Sequence, residues 1–257
     1  MNTNMDYLIH YLANENTRSK EYSDSGFQMD KWNLLRSLMN FRPPGRISDD
    51  FLSKQDELLQ SLIAEKGIID IAALKPIKDN FYLWRGDIVT LKVDAIVNAA
   101  NSAMLGCFIP CHSCIDNAIH TFAGVQLRLE CAQIMNKQGH PEPAGSAKIT
   151  AAYNLPCKYI LHTVGPVIYD TVNDEDRRLL AGCYQSCLKL AEQNGVKSIA
   201  FCCISTGEFR FPNEEAAEIA IQAVSGYSKE EDSRRDMKII FNVFKEQDEQ
   251  IYRRLLG

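Results

Sequence analysis

The apolar run at residues 93–97, VDAIV, breaks off into Asn98-Ala99-Ala100-Asn101. Gly106 follows, and then an acid, Asp116, placed for a helix start. Strand, polar elbow, glycine and helix N-terminus are the parts from which α/β proteins build a nucleotide site at the carboxyl end of a strand. Between elbow and helix lie Cys107, Cys111, His112 and Cys114, soft metal ligands within one short loop. Their position predicts a metal at the ligand pocket, not on a separate structural knuckle.

From residue 81 onward, strand-like and helix-like segments alternate. The expected strands are residues 81–84, 93–97, 147–151, 159–163, 198–203 and 238–243, and the expected helices 115–135, 175–193, 214–225 and 246–255. That order predicts an α/β fold, a three-layer α/β/α arrangement around a mixed, mostly parallel sheet. Residues 1–78 differ. Apolar residues recur at helical spacing at 7–12, 32–41 and 51–63, with Arg42-Pro43-Pro44-Gly45 breaking the second helix from the third and Asp49 or Asp50 as the expected cap. We read 1–78 as a helical N-terminal extension that packs on a main domain at 79–257.

Composition narrows the function. A net charge of −5 without a dense Lys/Arg block gives no support for a nucleic-acid partner. No basic leader with an apolar core opens the sequence, and no segment approaches the ~20 apolar residues that span a bilayer, so no membrane association is expected. Nine cysteines, an odd number set mostly in core-like segments, fit free thiols in a reducing compartment, and the expected location is cytoplasmic.

Four loops follow strands and carry Gly with small polar residues: 85–88, 98–114, 164–166 and 205–212. Each can present backbone N–H groups to phosphate. The motifs in and around them, GDI at 86–88, VDAIVNAAN at 93–101, IDNAIH at 115–120 followed by AG at 123–124, HTVGP at 162–166 and STGEFRFP at 205–212, occur in the order of the macrodomain family, and this chain resembles it over roughly residues 80–257. The stretch GCFIPCHSCIDNAIH is similar to the zinc-containing branch, which also carries an N-terminal helical extension. The resemblance implies binding of ADP-ribose and removal of mono-ADP-ribose from modified, acidic residues of a protein, with a lipoylated carrier protein as a substrate. It further implies that Asp87 meets the adenine amino group beside Ile88, and that Asn98 and Asn101 meet the distal ribose. Ser205, Thr206, Gly207, Glu208 and Phe209 would face the diphosphate, and Val164 and Gly165 would line the far wall. Two departures stand out: Cys107–Cys114 occupies the place of a Gly-rich first phosphate loop, and Arg210 stands where a glycine is expected.

The zinc-type pattern puts its ligands at Cys107, His112 and Cys114, an S, N, S set that leaves one position open. Cys111 is either a fourth ligand that closes the site or a bystander thiol. Zinc is the expected cofactor, and a structural pin competes with a catalytic role for it. Cys111-His112-Ser113-Cys114 is formally a C-x-x-C redox pair but lacks the surrounding thioredoxin-like setting. Motif order argues against a deaminase, since the H-x-E at His140 lies downstream of P-C-x-x-C.

The resemblance also implies the catalytic residues: Asp116 stands where hydrolytic macrodomains carry an acid, and it is expected to act together with the zinc and with Asn101. A carboxylate at a helix start is held ionised by the dipole and can orient or deprotonate water, while Asn101 places the ribose. The competing reading of Asp116 is a plain helix cap. His120 and His162 are expected to be satisfied core histidines, and Cys131, Cys183 and Cys187 packing residues. Cys202 and Cys203 are expected on opposite faces of a strand, and Glu208 is expected to act through its backbone. The alternative to a hydrolase is an ADP-ribose reader with a structural zinc.

Overall fold

The computed structural model describes residues 2–15, 19–20, 29–230 and 236–257. Helices α1 (Asn2–Ala13), α2 (Lys31–Phe41) and α3 (Asp49–Lys66) come first, then the short strand β1 (Ile69–Asp70). The alternating part follows: β2 (Phe81–Arg85), β3 (Leu91–Lys92), β4 (Ala95–Ala99), α4 (Ile115–Ala123), α5 (Val125–Gln138), β5 (Ala147–Ala151), β6 (Tyr159–Thr163), α6 (Asp174–Gln193), β7 (Ser198–Phe201), α7 (Asn213–Glu230), β8 (Lys238–Val243) and α8 (Glu246–Leu256).

Six strands form one sheet in the order β2-β8-β7-β4-β6-β5, parallel throughout except for the pairing of β5 with β6, while β1 and β3 pair apart from it. All four residues of β7 and the first four of β4 are buried, so both faces of the sheet are covered, as a parallel sheet requires. Helices α6, α7 and α8 pack together, and α4 and α5 pack with the extension helices α2 and α3. Because β2, β8, β7, β4 and β6 run the same way, their carboxyl ends lie along one edge, where the four candidate loops emerge.

Several boundaries differ from the sequence reading, each for a tertiary reason. Strand β4 begins two residues later because the Asp94 carboxylate accepts from Lys197 N and Ser198 N. It runs on through Asn98, whose polar side chain finds buried partners. The expected single helix at 115–135 breaks at Gly124, where φ is 100°. The backbone N–H of Val125 is satisfied instead by Gln55 Oε1 of α3 at 3.0 Å. Ser48, not Asp49 or Asp50, caps α3 by accepting from Phe51 N. Cys202 and Cys203 lie just past the end of β7, not on it.

The extension has an apolar core of its own, with Leu8, Leu12, Leu35, Leu38, Phe51 and Leu59, which Val125 of α5 joins. Trp32 and Leu62 pack against this core and against the main one, and the Trp32 and Phe122 rings lie 5.6 Å apart. Among the described residues no helix is long and apolar enough to cross a membrane.

Candidate active site

Asp116 stands in the first turn of α4 and is 5% exposed. It does not cap the helix: the N-cap is Cys114, whose Sγ accepts from Asn117 N. The carboxylate is held from both sides by the elbow after β4. Asn98 Nδ2 donates to Oδ1 at 2.8 Å and Asn101 Nδ2 to Oδ2 at 3.2 Å, and Asn101 Nδ2 also reaches Gly106 O at 3.1 Å. Burial pushes the Asp116 carboxyl up to about 6, against the pull of Asn98, Arg128 and Asn101. A carboxylate poised there can exchange a proton near neutral pH, which suits general base work.

The two histidines behave differently. His162 has partners on both ring nitrogens, Asn98 Nδ2 at 3.1 Å and Thr150 Oγ1 at 2.9 Å, as a satisfied core histidine should. His120 departs from the expectation, because neither ring nitrogen has a hydrogen-bond partner. Its i,i+4 spacing from Asp116 leaves Nε2 3.6 Å from the Asp116 Oδ1. Burial, then the nearby His162 and Arg128, keep it neutral. Cys131, read from sequence as packing, is buried with its sulfur within 4.8 Å of donor nitrogens of both histidines.

The ligand atoms of Cys107, His112 and Cys114 lie within 4.8 Å of one another. His112 Nδ1 is buried without a hydrogen-bond partner. Burial, with Cys107 and Asp116 close by, pushes the Cys114 thiol up to about 12. A divalent cation among these groups would offset that cost by favouring the thiolates. Two thiols and an imidazole fit zinc by ligand chemistry. Cys111 lies outside the set. At φ 52° its Sγ turns toward α2, 3.2 Å from Ser37 Oγ and 3.3 Å from Asn33 O.

The loop is shaped by residues that the sequence reading did not single out. Arg36 of α2 donates to His112 O and to Asn117 Oδ1, Asn117 Nδ2 donates to Ile109 O, and Asn40 Oδ1 accepts from Cys111 N. Buried Arg128 of α5 donates to Leu105 O and to the carbonyls of Met39, Asn40 and Arg42, and its guanidinium lies over the Phe108 ring. No local signal marks these residues, since their partners are distant in sequence.

Across the edge, the 205–212 loop turns through two residues in the left-handed region, Ser205 at φ 65° and Arg210 at φ 61°. Arg210 thus holds the backbone conformation of the glycine expected there. Gly165 packs so closely on this loop that a Cβ would fall 1.9 Å from Ser205 Oγ, so any side chain there would displace the Ser205 hydroxyl. Next to it lies Val164, which is buried. Ile168 N donates to Phe209 O and Thr206 Oγ1 to Cys203 O, which ties the loop to its neighbours, and the space at Gly207 is open. The Glu208 carboxylate, expected to matter less than its backbone, lies 3.6 Å from His112 Nε2.

At the far end, Asp87 follows β2. Its Oδ1 accepts from Val89 N and its Oδ2 from Lys66 Nζ, while Ile88 is buried. Phe244, 75% exposed, follows the adjacent strand β8, so an aromatic face stands beside the Asp87 loop. The sequence reading passed over Phe244. Its signal was an aromatic directly after an apolar strand, at the edge where ligand loops gather.

A family model described as the macro domain matches residues 97–220. A protein-ADP-ribose hydrolase of Treponema medium is 57% identical over 255 residues, which cover 98% of this chain and 97% of that protein. A protein-ADP-ribose hydrolase of Staphylococcus aureus strain MSSA476 is 52% identical over 252 residues, covering 95% and 93%. Among solved structures, the Trypanosoma brucei macrodomain in complex with ADP-ribose superposes with a TM-score of 0.67 at 30% identity, over 86% of this chain and 95% of that one. The Oceanobacillus iheyensis macrodomain with ADP gives 0.63 at 35%, over 71% and 93%.

Proposed function

This chain belongs to the macrodomain family, and on that footing we propose that it is a hydrolase that removes mono-ADP-ribose from modified proteins in the cleft at the carboxyl edge of the sheet. One observation carries the reading. A buried carboxylate, Asp116, is gripped by Asn98 and Asn101 and shares one loop-helix junction with a Cys107, His112, Cys114 donor set.

The chemistry breaks the bond between C1″ of the distal ribose and an oxygen of the modified side chain. Water supplies the new oxygen at C1″, and the displaced carboxylate leaves with the pair of electrons. The Asn98 and Asn101 amides orient the ribose and fix the Asp116 carboxylate, which takes the proton from the attacking water. Backbone amides of Ser205, Thr206, Gly207, Glu208 and Phe209 face the diphosphate, Val164 and Gly165 line the far wall, and Asp87 with Ile88 receives the adenine. Zinc held by Cys107, His112 and Cys114 would supply positive charge that polarises a water or ribose oxygen. Acidic side chains are the proposed sites of modification, and a lipoylated carrier protein the proposed substrate, both on the resemblance to the zinc-containing branch. The cytoplasm is the proposed location, in keeping with nine unpaired thiols.

The test is release of ADP-ribose from a protein modified on aspartate or glutamate, with ADP-ribose affinity measured in parallel. Wild type should release it. Asp116→Asn and Cys107→Ala should not, while both still bind free ADP-ribose. Equal release by Cys107→Ala would make the metal a structural pin, and a wild type that binds without releasing would be a reader.

A further inference from the structure

The Asp116 site is supported by a polar chain that runs across the sheet from its edge strand β5. Thr150 lies on β5, the antiparallel edge strand, His162 on β6, Asn98 on β4 and Asp116 on α4. His162 and Asn98 are direct cross-strand partners in the β4–β6 register, and all four side chains are buried. Thr150 Oγ1 to His162 Nε2 is 2.9 Å, His162 Nδ1 to Asn98 Nδ2 is 3.1 Å and Asn98 Nδ2 to Asp116 Oδ1 is 2.8 Å.

Donor and acceptor roles follow from chemistry. Turned the other way, the Asn98 amide would set its oxygen against the Asp116 carboxylate, so the NH₂ group faces Asp116 and His162. An amide nitrogen only donates, hence His162 Nδ1 accepts. The ring proton of the neutral imidazole therefore sits on Nε2, and Thr150 Oγ1 accepts it. Burial holds His162 neutral, down to about 3. Both protons of the amide are thereby committed, and Asn98 Oδ1 is the one buried atom of the group without a partner.

We infer that Thr150 and His162 are positioning residues of this site: Thr150 Oγ1 satisfies the buried Nε2–H that the Asn98 amide imposes on His162, and the imidazole, partnered on both nitrogens, keeps the amide turned to hold the Asp116 carboxylate. Without the threonine oxygen the buried Nε2–H loses its acceptor, which favours moving the proton to Nδ1. That N–H would confront the amide N–H, and relieving the clash by an amide flip would turn Oδ1 onto the carboxylate. The inference rests on the hydrolase reading for its effect on turnover, and on hydrogen-bond geometry alone for the tautomer.

The test compares wild type with Thr150→Val, which keeps shape and removes the hydroxyl, and Thr150→Ser, which restores it. The His162 tautomer is read from ring-nitrogen NMR, alongside kcat, KM, ADP-ribose affinity and melting temperature. Expected are an Nε2–H tautomer in wild type and Thr150→Ser, and a mixture in Thr150→Val. Turnover in Thr150→Val should fall about tenfold, with a smaller change in KM, and Thr150→Ser should recover it. An Nδ1–H tautomer in wild type, or wild-type turnover in Thr150→Val, overturns the inference. If wild type itself releases no ADP-ribose, the hydrolase reading fails separately. The Nε2–H tautomer in wild type and Thr150→Ser, lost to a mixture in Thr150→Val, then decides this inference by itself.

Discussion

The Arg36 guanidinium donates to the carbonyl oxygen of His112 at 2.8 Å, a contact that joins a helix of the N-terminal extension to the middle of the proposed metal loop. The same guanidinium grips Asn117 Oδ1 at 2.7 Å, and Asn117 in turn donates to Ile109 O. The loop from Gly106 to Cys114 therefore takes its shape from α2 as much as from its own residues. An extension read from sequence as a packing element is also part of the wall of the site.

Arg36→Ala should weaken metal binding by the loop about tenfold, through loss of charge-assisted hydrogen bonds that hold it. Cobalt titration, followed by visible absorption and competed with a chelator, measures this. An affinity equal to wild type would confine α2 to packing.

Gly165→Ala should fold but lose about tenfold in ADP-ribose affinity, because a Cβ placed 1.9 Å from Ser205 Oγ displaces that hydroxyl and crowds Ile204 and Ser205 at the start of the 205–212 loop. Calorimetry on the purified variant reads it. Unchanged affinity would mean that the loop moves without consequence for the diphosphate.

Arg128→Met should cost about 3–5 kcal/mol, since the carbonyls of Leu105, Met39, Asn40 and Arg42 lose their donor in a buried setting. Urea unfolding at neutral pH checks it. A loss below about 1 kcal/mol would show that those carbonyls find other partners.

The Asp94 carboxyl resists the upward push of burial. Lys158 and the N–H groups of Lys197 and Ser198 hold it below its ordinary 3.8. A lowered value in the folded state means stability that is present above 3.8 and lost as pH falls through the folded value. Asp94→Asn should therefore be less stable than wild type by about 1–2 kcal/mol at pH 7. The gap should shrink as the pH is lowered past the ordinary carboxylate range. A gap that stays constant with pH would assign the effect to shape instead of charge.

Much of the site was legible because its chemistry sits in short, continuous motifs. Asn98 and Asn101 flank two alanines directly after an apolar strand, and Asp116 begins the next helix, so local spacing alone sets them near one another. The Cys107, His112 and Cys114 set is likewise contained in one loop, and its donors do meet. Arg36, Asn40 and Arg128 gave no such signal. An arginine in an amphipathic helix reads as solvated surface until the element that it touches is known. The break at Gly124 was hidden for the same reason, since the apolar spacing continues through it and only Gln55 of α3 supplies the cap.

The sequence by itself determined the order of strands and helices and which polar residues stand in the loops between them, because period-two and period-3.6 patterns and polar elbows are local properties of the chain. Tertiary structure alone decided how those residues face one another. It turned Cys111 toward α2, left His120 beside Asp116 without a hydrogen-bond partner, and set His162 opposite Asn98 across parallel strands. Hydrogen-bond partners far apart along the chain leave no periodic trace in it. They come together only when burial of the apolar sheet faces draws the strands and the extension helices into contact.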